Sequence, residues 1–279
     1  MSGNAYYNEI DPYAAQWLRN LIKAGHIAPG YVDERSIEDV KPDDLREFTQ
    51  CHFFAGVGVW SYALRQAGWP DDKPIWTGSC PCQPFSTAGK GDGFDDKRHL
   101  WPHFHYLIEQ LRPPVAFGEQ VASKDGLAWF DLVQADLEGA GYAATAVDIC
   151  SAGVGAPHVR QRLYWVAHAK CEQRETCLSR PKESDHKKNG GPPVKSSGLC
   201  LSGKMGVIRK SPEKTNGFWK YADWLECHDG YWRAVEPGTF PLANGITNRM
   251  GRLRAYGNAI NTEVTTVFVA AYMSAVVRK

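Results

Sequence analysis

Pro74-Ile75-Trp76-Thr77, a short apolar run, leads straight into Gly78-Ser79-Cys80-Pro81-Cys82-Gln83-Pro84-Phe85-Ser86. The run reads as a strand and the segment after it as a loop at the strand's carboxyl end, where open α/β sheets gather their ligands. A cysteine placed there is a nucleophile if positive neighbours or a helix N-terminus favour its thiolate. On these residues alone, Cys80 and Cys82 suit half a metal site or two core thiols equally well.

Working outward, residues 5–8, 51–54, 74–77, 115–117, 143–149 and 163–167 read as strands. Helical patterns lie between them near 13–24, 59–67, 100–111 and 127–139, so the first 168 residues predict a mostly parallel sheet covered on both faces. From 170 to 217 the chain is rich in Lys, Ser, Gly and Pro, with Gly190-Gly191-Pro192-Pro193 at its middle, and reads as a loop-dominated insertion. Pattern returns around 218–232, where Trp219, Tyr221, Trp224, Tyr231 and Trp232 are expected to form a small core, and 262–277 reads as a closing helix.

Composition narrows the function. Hydrophobic residues make up 43% of the 279, which excludes a wholly disordered chain. No apolar run approaches the roughly 20 residues that span a bilayer. Met1-Ser2-Gly3-Asn4 lacks the charged and apolar regions of a signal peptide, so a cytoplasmic protein without a membrane partner is expected. Eight cysteines in a chain of this size do not read as a disulfide framework. Cys171, Cys177, Cys200, Cys227, His186 and His228 are too irregularly spaced for a tight zinc pattern, and no metal is expected. The net charge of +1 conceals an asymmetry: residues 169–220 hold 12 Lys and Arg against 5 Asp and Glu, while the rest hold 20 against 26. A segment of that sign suits contact with a polyanion, and equally a solvated insertion.

Pro81-Cys82-Gln83-Pro84-Phe85-Ser86 resembles the catalytic loop of the DNA cytosine-5 methyltransferases, and other motifs of that family can be matched independently. Phe53-Phe54-Ala55-Gly56-Val57-Gly58 resembles the cofactor loop. Phe117-Gly118-Glu119-Gln120-Val121 resembles the Glu-Asn-Val motif with Gln120 in place of Asn. Arg160 and Arg162, in Gly155-Ala156-Pro157-His158-Val159-Arg160-Gln161-Arg162, match the family's arginine pair, although His158 and Val159 depart from its pattern. Gly257-Asn258-Ala259-Ile260 is similar to the last motif.

The resemblance implies a Rossmann-like, S-adenosylmethionine-dependent methyltransferase sheet with a small loop-rich target-recognition domain. Residues 1–168 and 245–279 would form the catalytic domain and 169–244 the target-recognition region. Cys82 would add to C6 of a flipped cytosine, with Glu119 at N3, Arg162 at O2 and Arg160 supporting the cysteine loop. Phe54, Gly56, Gly58 and Asn258 would line the cofactor, and Pro81, Gln83 and Ser86 would meet the DNA. Double-stranded DNA is the implied partner, and a monomer the expected state. Cytosine hydroxymethyl transfer from another one-carbon donor, or DNA binding without catalysis, are the competing expectations.

The motif order is unusual. Only about two dozen residues separate Gly58 from Cys82, too few for the two strands the family places there. Tyr7-Asn8-Glu9-Ile10-Asp11-Pro12 resembles the ribose motif, with Glu9 as hydroxyl acceptor and Ile10 against adenine. Val32-Asp33-Glu34-Arg35-Ser36-Ile37 resembles the adenine motif, with Asp33 at the exocyclic amine. The expected strand sequence is therefore ribose, adenine, cofactor loop, catalytic. A right-handed crossover would then carry the helix after the cofactor loop to the opposite face of the sheet, so either this connection breaks the usual hand or the strand at 74–77 is misassigned.

Overall fold

A computed structural model describes residues 4–81, 100–156, 160–169, 220–221, 223–226, 232–235 and 259–277. Seven strands form one sheet: β1 (Ala5–Asn8), β2 (Gly30–Asp33), β3 (Gln50–Phe53), β4 (Ile75–Gly78), β5 (Val115–Val121), β6 (Tyr142–Cys150) and β7 (Gln161–Ala169). Their spatial order is β2-β1-β3-β4-β5-β7-β6, parallel from β2 to β5, with β7 antiparallel to both its neighbours. The helices are α1 (Pro12–Lys23), α2 (Val59–Gln66), α3 (Trp101–Leu111), α4 (Lys124–Gly139) and α5 (Thr262–Val277). A separate two-stranded antiparallel sheet pairs β8 (Asp223–Glu226) with β9 (Trp232–Val235). Among the described residues, no helix is long and apolar enough to cross a membrane.

Strand alternation divides the core. Tyr6, Cys51, Phe53, Trp76, Ala116, Leu163 and Trp165 face α3 and α4. There Trp101 meets Trp129 edge-on at 5.8 Å and Trp165 at 6.1 Å. On the other face, Ala5 and Tyr7 pack under α1, while Ile75, Val115, Phe117 and Tyr164 pack under α2 and α5. Gly118 is a point of close approach: a Cβ there would strike the Trp165 indole and the Gly78 carbonyl.

The expected strand at 74–77 is β4, shifted by one residue, and β3 does lie between β1 and β4. The helix between β3 and β4 has not changed face. Tyr7, packed under α1, bonds Ser61 of α2 at 2.9 Å, and Gly58 abuts Leu18 of α1. The steps β1→β2 and β3→β4 run in opposite directions across the sheet with their helices on the same face, so their crossovers have opposite hands. The links β2→β3, through 3-10 turns Ile37–Asp39 and Pro42–Asp44, and β4→β5, through α3, lie on the other face and share the hand of β1→β2. The right-hand rule, which holds in roughly 98% of cases, thus assigns the exception to β3-α2-β4. Apolar contacts of Trp60 and Leu64 with β4, β5 and α5 hold the helix where it is.

Sequence pattern placed most elements to within two residues and missed the length of β5, which continues to Val121 through Gly118, Glu119 and Gln120. It also missed β8 and β9 and the α4 turn capped by Ser123, whose hydroxyl accepts from Gly126 N at 3.0 Å. Tyr221 is not a core residue: it is 71% exposed, with the Lys220 ammonium 5.3 Å from its ring. Gly118→Ala is expected to lower stability by about 1–3 kcal/mol, because neither the indole nor the β4 carbonyl can withdraw. Chemical denaturation of the purified chain measures this, and an unchanged midpoint would refute the close approach.

Candidate active site

Strand register brings the singled-out residues to one edge. Asp33, Asn8, Phe53, Gly78 and Gly118 are consecutive partners across β2, β1, β3, β4 and β5. One residue further along each strand stand Glu34, Glu9, Phe54, Ser79 and Glu119. At about 4.8 Å per strand, Glu9 and Glu119 lie roughly 14 Å apart along this row. That span fits a ligand with one end on β1 and a second ligand reacting near β5.

At the β5 end, Glu119 is 8% exposed and receives Arg162 Nε at 2.8 Å. Burial pushes its carboxyl above the usual range, against the pull of Arg162 and Arg160. Burial and the two guanidiniums thus act on this carboxyl in opposite directions. Arg160 donates Nη2 to the Ala259 carbonyl at 2.9 Å, tying the end of the sheet to the segment that enters α5. Gln120 is buried at 2% exposure, and its Oε1 accepts from Val121 N at 3.0 Å. Among the described residues, its Nε2 has no hydrogen-bond partner.

The loop after β4 begins with Ser79, whose hydroxyl accepts from the Trp60 indole at 3.0 Å. Cys80 is buried in the α3–α4 core, and burial pushes its thiol far up, so it is an inert packing group. Pro81 is exposed at the mouth. Cys82, Gln83, Ser86, His158, Val159 and Asn258 lie outside the described residues.

At the β1–β3 junction the chain turns through left-handed backbone at Phe54 (φ 51°), Gly56 (φ 54°) and Gly58 (φ 81°). This turns the Gly56 amide back onto Glu9, whose Oε2 accepts it at 2.7 Å while Oε1 accepts Asp11 N at 2.9 Å. Burial raises the Glu9 carboxyl, and these two amides oppose the rise. An ionised carboxylate has about four acceptor sites, so Glu9 keeps roughly half of them for a diol. Ile10 beside it is 65% exposed, an apolar surface for a flat ring. Acceptor capacity, apolar platform and turned backbone together fit the nucleoside portion of S-adenosylmethionine.

Asp33, at the end of β2, is differently placed. It is 3% exposed, and its oxygens accept from Tyr6 Oη at 2.8 Å, Arg35 N at 2.9 Å, Arg35 Nε at 3.0 and 3.1 Å, and Arg35 Nη2 at 2.7 Å. Burial alone would raise this carboxyl, but the Arg35 and Tyr6 bonds outweigh it and hold it below the usual range. Arg35 also reaches Asp44 at 2.9 Å and the Asp39 carbonyl. Sequence reading passed over Arg35, whose only signal was its place two residues after a buried acid.

Comparison with known proteins adds independent findings. The sequence profile of the family C-5 cytosine-specific DNA methylase matches residues 64–225, more than half of the chain. The type II methyltransferase M.PspPI of Psychrobacter sp. (strain TA137) is 27% identical over 169 residues, which cover 45% of this chain and 41% of that protein. M.HhaI of Haemophilus parahaemolyticus is 30% identical over 99 residues, covering 34% and 30%. The chain thus spans less than half the length of these relatives. Among solved structures, the S. pombe Dnmt2 methyltransferase aligns over 98% of this chain and 99% of that one with a TM-score of 0.49 at 12% identity. A Spodoptera frugiperda DNMT2 mutant aligns over 67% and 49% with a TM-score of 0.40 at 17% identity. These structural likenesses are too distant to carry an argument, and the strand order above stands without them.

The Asp33–Arg35 pair sets a pH dependence. A carboxyl held below its unfolded value stabilises the fold above the unfolded pKa, near 4, and loses that contribution as pH falls through the folded value. The stability gap between the wild type and Asp33→Asn is expected to be widest near neutrality and to narrow progressively as pH falls below the unfolded carboxyl range. Thermal melts across pH 2–7 measure it, and a gap independent of pH would refute the pairing.

Proposed function

The chain belongs to the C-5 cytosine-specific DNA methylase family, and on that premise we propose that it transfers a methyl group from S-adenosylmethionine to C5 of cytosine in double-stranded DNA. The observation that carries the reading is the pairing of the buried Glu119 with the half-buried Arg162, level with one residue past the end of β4 and three strands from the Glu9 cradle. Glu9, Ile10, Phe54, Gly56 and Gly58 would hold the nucleoside, with Asp33 shaping the outer end of that cleft and Asn258 near the methionyl end. When bound, the cofactor supplies an electrophilic methyl group.

The chain's own residues supply the rest. Cys82 sulfur forms a bond to C6, and the displaced electron pair makes C5 nucleophilic. Glu119, whose burial favours the protonated form, donates to N3 as charge develops there, and Arg162 holds both Glu119 and the base at O2. Arg160, through Ala259, fixes the segment leading into α5 against this end of the sheet. Loss of the C5 proton and cleavage of the S–C6 bond then restore the aromatic ring and the thiolate. The target base must leave the duplex stack for the sulfur to reach its face. Pro81, Gln83 and Ser86 would meet the vacated duplex, and the +7 segment within 169–244 would read the target through phosphate and base-edge contacts.

The test is transfer of labelled methyl to mixed-sequence duplex DNA, with base analysis of the product. Label in 5-methylcytosine supports the reading, and label confined to other bases would sink it. Cys82→Ser is expected to abolish transfer and leave affinity for S-adenosylhomocysteine within about twofold. Glu119→Gln should reduce turnover by about 10²–10⁴-fold. Glu9→Ala should weaken cofactor binding by at least about tenfold; equal dissociation constants in calorimetry would remove Glu9 from the site.

A further inference from the structure

Three buried or half-buried carboxylates stand at the sheet edge, and Asp33 is distinguished by having its acceptor capacity filled. Four donors, the Tyr6 hydroxyl and the N, Nε and Nη2 of Arg35, meet the roughly four acceptor sites of a carboxylate that is 3% exposed. Another donor can enter only by displacing one of these, and a buried donor without a partner costs about 1–3 kcal/mol. Arg35 is not readily displaced, since Asp44 and the Asp39 carbonyl hold it as well. It thereby joins the end of β2 to both 3-10 turns of the next connection. Its side chain is 46% exposed, so one part of the guanidinium is anchored while another faces solvent.

The strand order fixes which part of the cofactor comes here, given the reading proposed above. The reactive methyl must lie toward β4 and β5, and the ribose diol meets Glu9 on β1. The purine then extends over the next strand outward, β2. A carboxylate with spare lone pairs at that point would select a 6-amino purine, because a 6-oxo purine presents an acceptor and a ring N1–H in place of the amine. A saturated carboxylate does not make that selection.

We propose that Asp33 is a positioning residue that fixes Arg35 across the end of β2, and that this cofactor site does not discriminate a 6-amino from a 6-oxo purine. Isothermal titration of the full chain with S-adenosylhomocysteine and with its deaminated analogue, S-inosylhomocysteine, tests this without any turnover. Dissociation constants within about threefold of one another are expected; a loss of about tenfold or more for the inosyl ligand overturns the proposal. If neither ligand binds, the cofactor reading itself falls and the proposal with it, whereas tight adenosyl binding with inosyl rejection removes the proposal alone. Arg35→Ala supplies a second readout. By freeing acceptor sites on Asp33 it should create a preference of at least about fivefold for the adenosyl ligand. A purely structural role would weaken both ligands alike and leave the ratio unmoved, which overturns the assignment of Arg35 as the group that masks Asp33.

Discussion

Strand register is the constraint on which the carboxyl edge of this sheet depends. Side chains alternate with period two, so a slip of one residue in any strand would exchange its core and opposite faces. It would also break the row from Asp33 through Gly118, beyond which Glu9, Phe54, Ser79 and Glu119 come into line. Large aromatics enforce the register. Tyr6, Phe53 and Trp76 can face only the α3–α4 side, and Tyr7 and Phe117 only the α1, α2 and α5 side. Gly118 adds a steric lock between β5, β4 and Trp165. Chemistry at the edge is thus positioned by packing several ångströms below it.

The three buried or half-buried acids of that edge illustrate how residue type underdetermines role. Glu9 is half-buried, bonded by two amides, and keeps acceptor sites. Glu119 is desolvated with one direct arginine partner, and its proton affinity rises. Asp33 is as deeply buried as Glu119 but is held by a guanidinium and a phenol, and its proton affinity falls. Burial has the same sign in all three, and the number and charge of the donors decide the outcome.

Much of this was legible from sequence because it is local. Periodicity placed β1 and α5 at their observed bounds, and the glycines of 53–58 marked the turn after β3. Glu119 and Arg162 were found by motif and meet at 2.8 Å. What escaped was set by tertiary contact. Arg35 folds back on Asp33 because the two 3-10 turns bring Asp39 and Asp44 to it, and no spacing rule encodes that. Sequence left the hand of β3-α2-β4 open, between a broken rule and a misassigned strand, for a similar reason. The rule predicts the face from strand order, whereas Trp60 and Leu64 choose the face that offers them β5 and α5. Cys80 and Cys82 are alike as residue types; the motif singled out Cys82, and burial in the core accounts for Cys80.

The changed order of connection also divides the molecule along a seam. The chain completes β1, α1 and β2 before it begins β3, so Glu9 and Ile10 belong to one continuous stretch and Phe54, Gly56, Gly58 and Glu119 to another. Four paired residues, Ala5 with Gln50 through Asn8 with Phe53, join these stretches within the sheet, reinforced by the Tyr7–Ser61 and Glu9–Gly56 bonds. Proteins open sub-globally in contiguous cooperative units, and a boundary of this kind is a place where two such units can part. A ligand lying across it acts as a staple, and its binding energy is drawn directly against that opening. In the proposed reading, a cofactor that touches Glu9 on one side and the 54–58 turn on the other would link its own occupancy to the cohesion of the sheet.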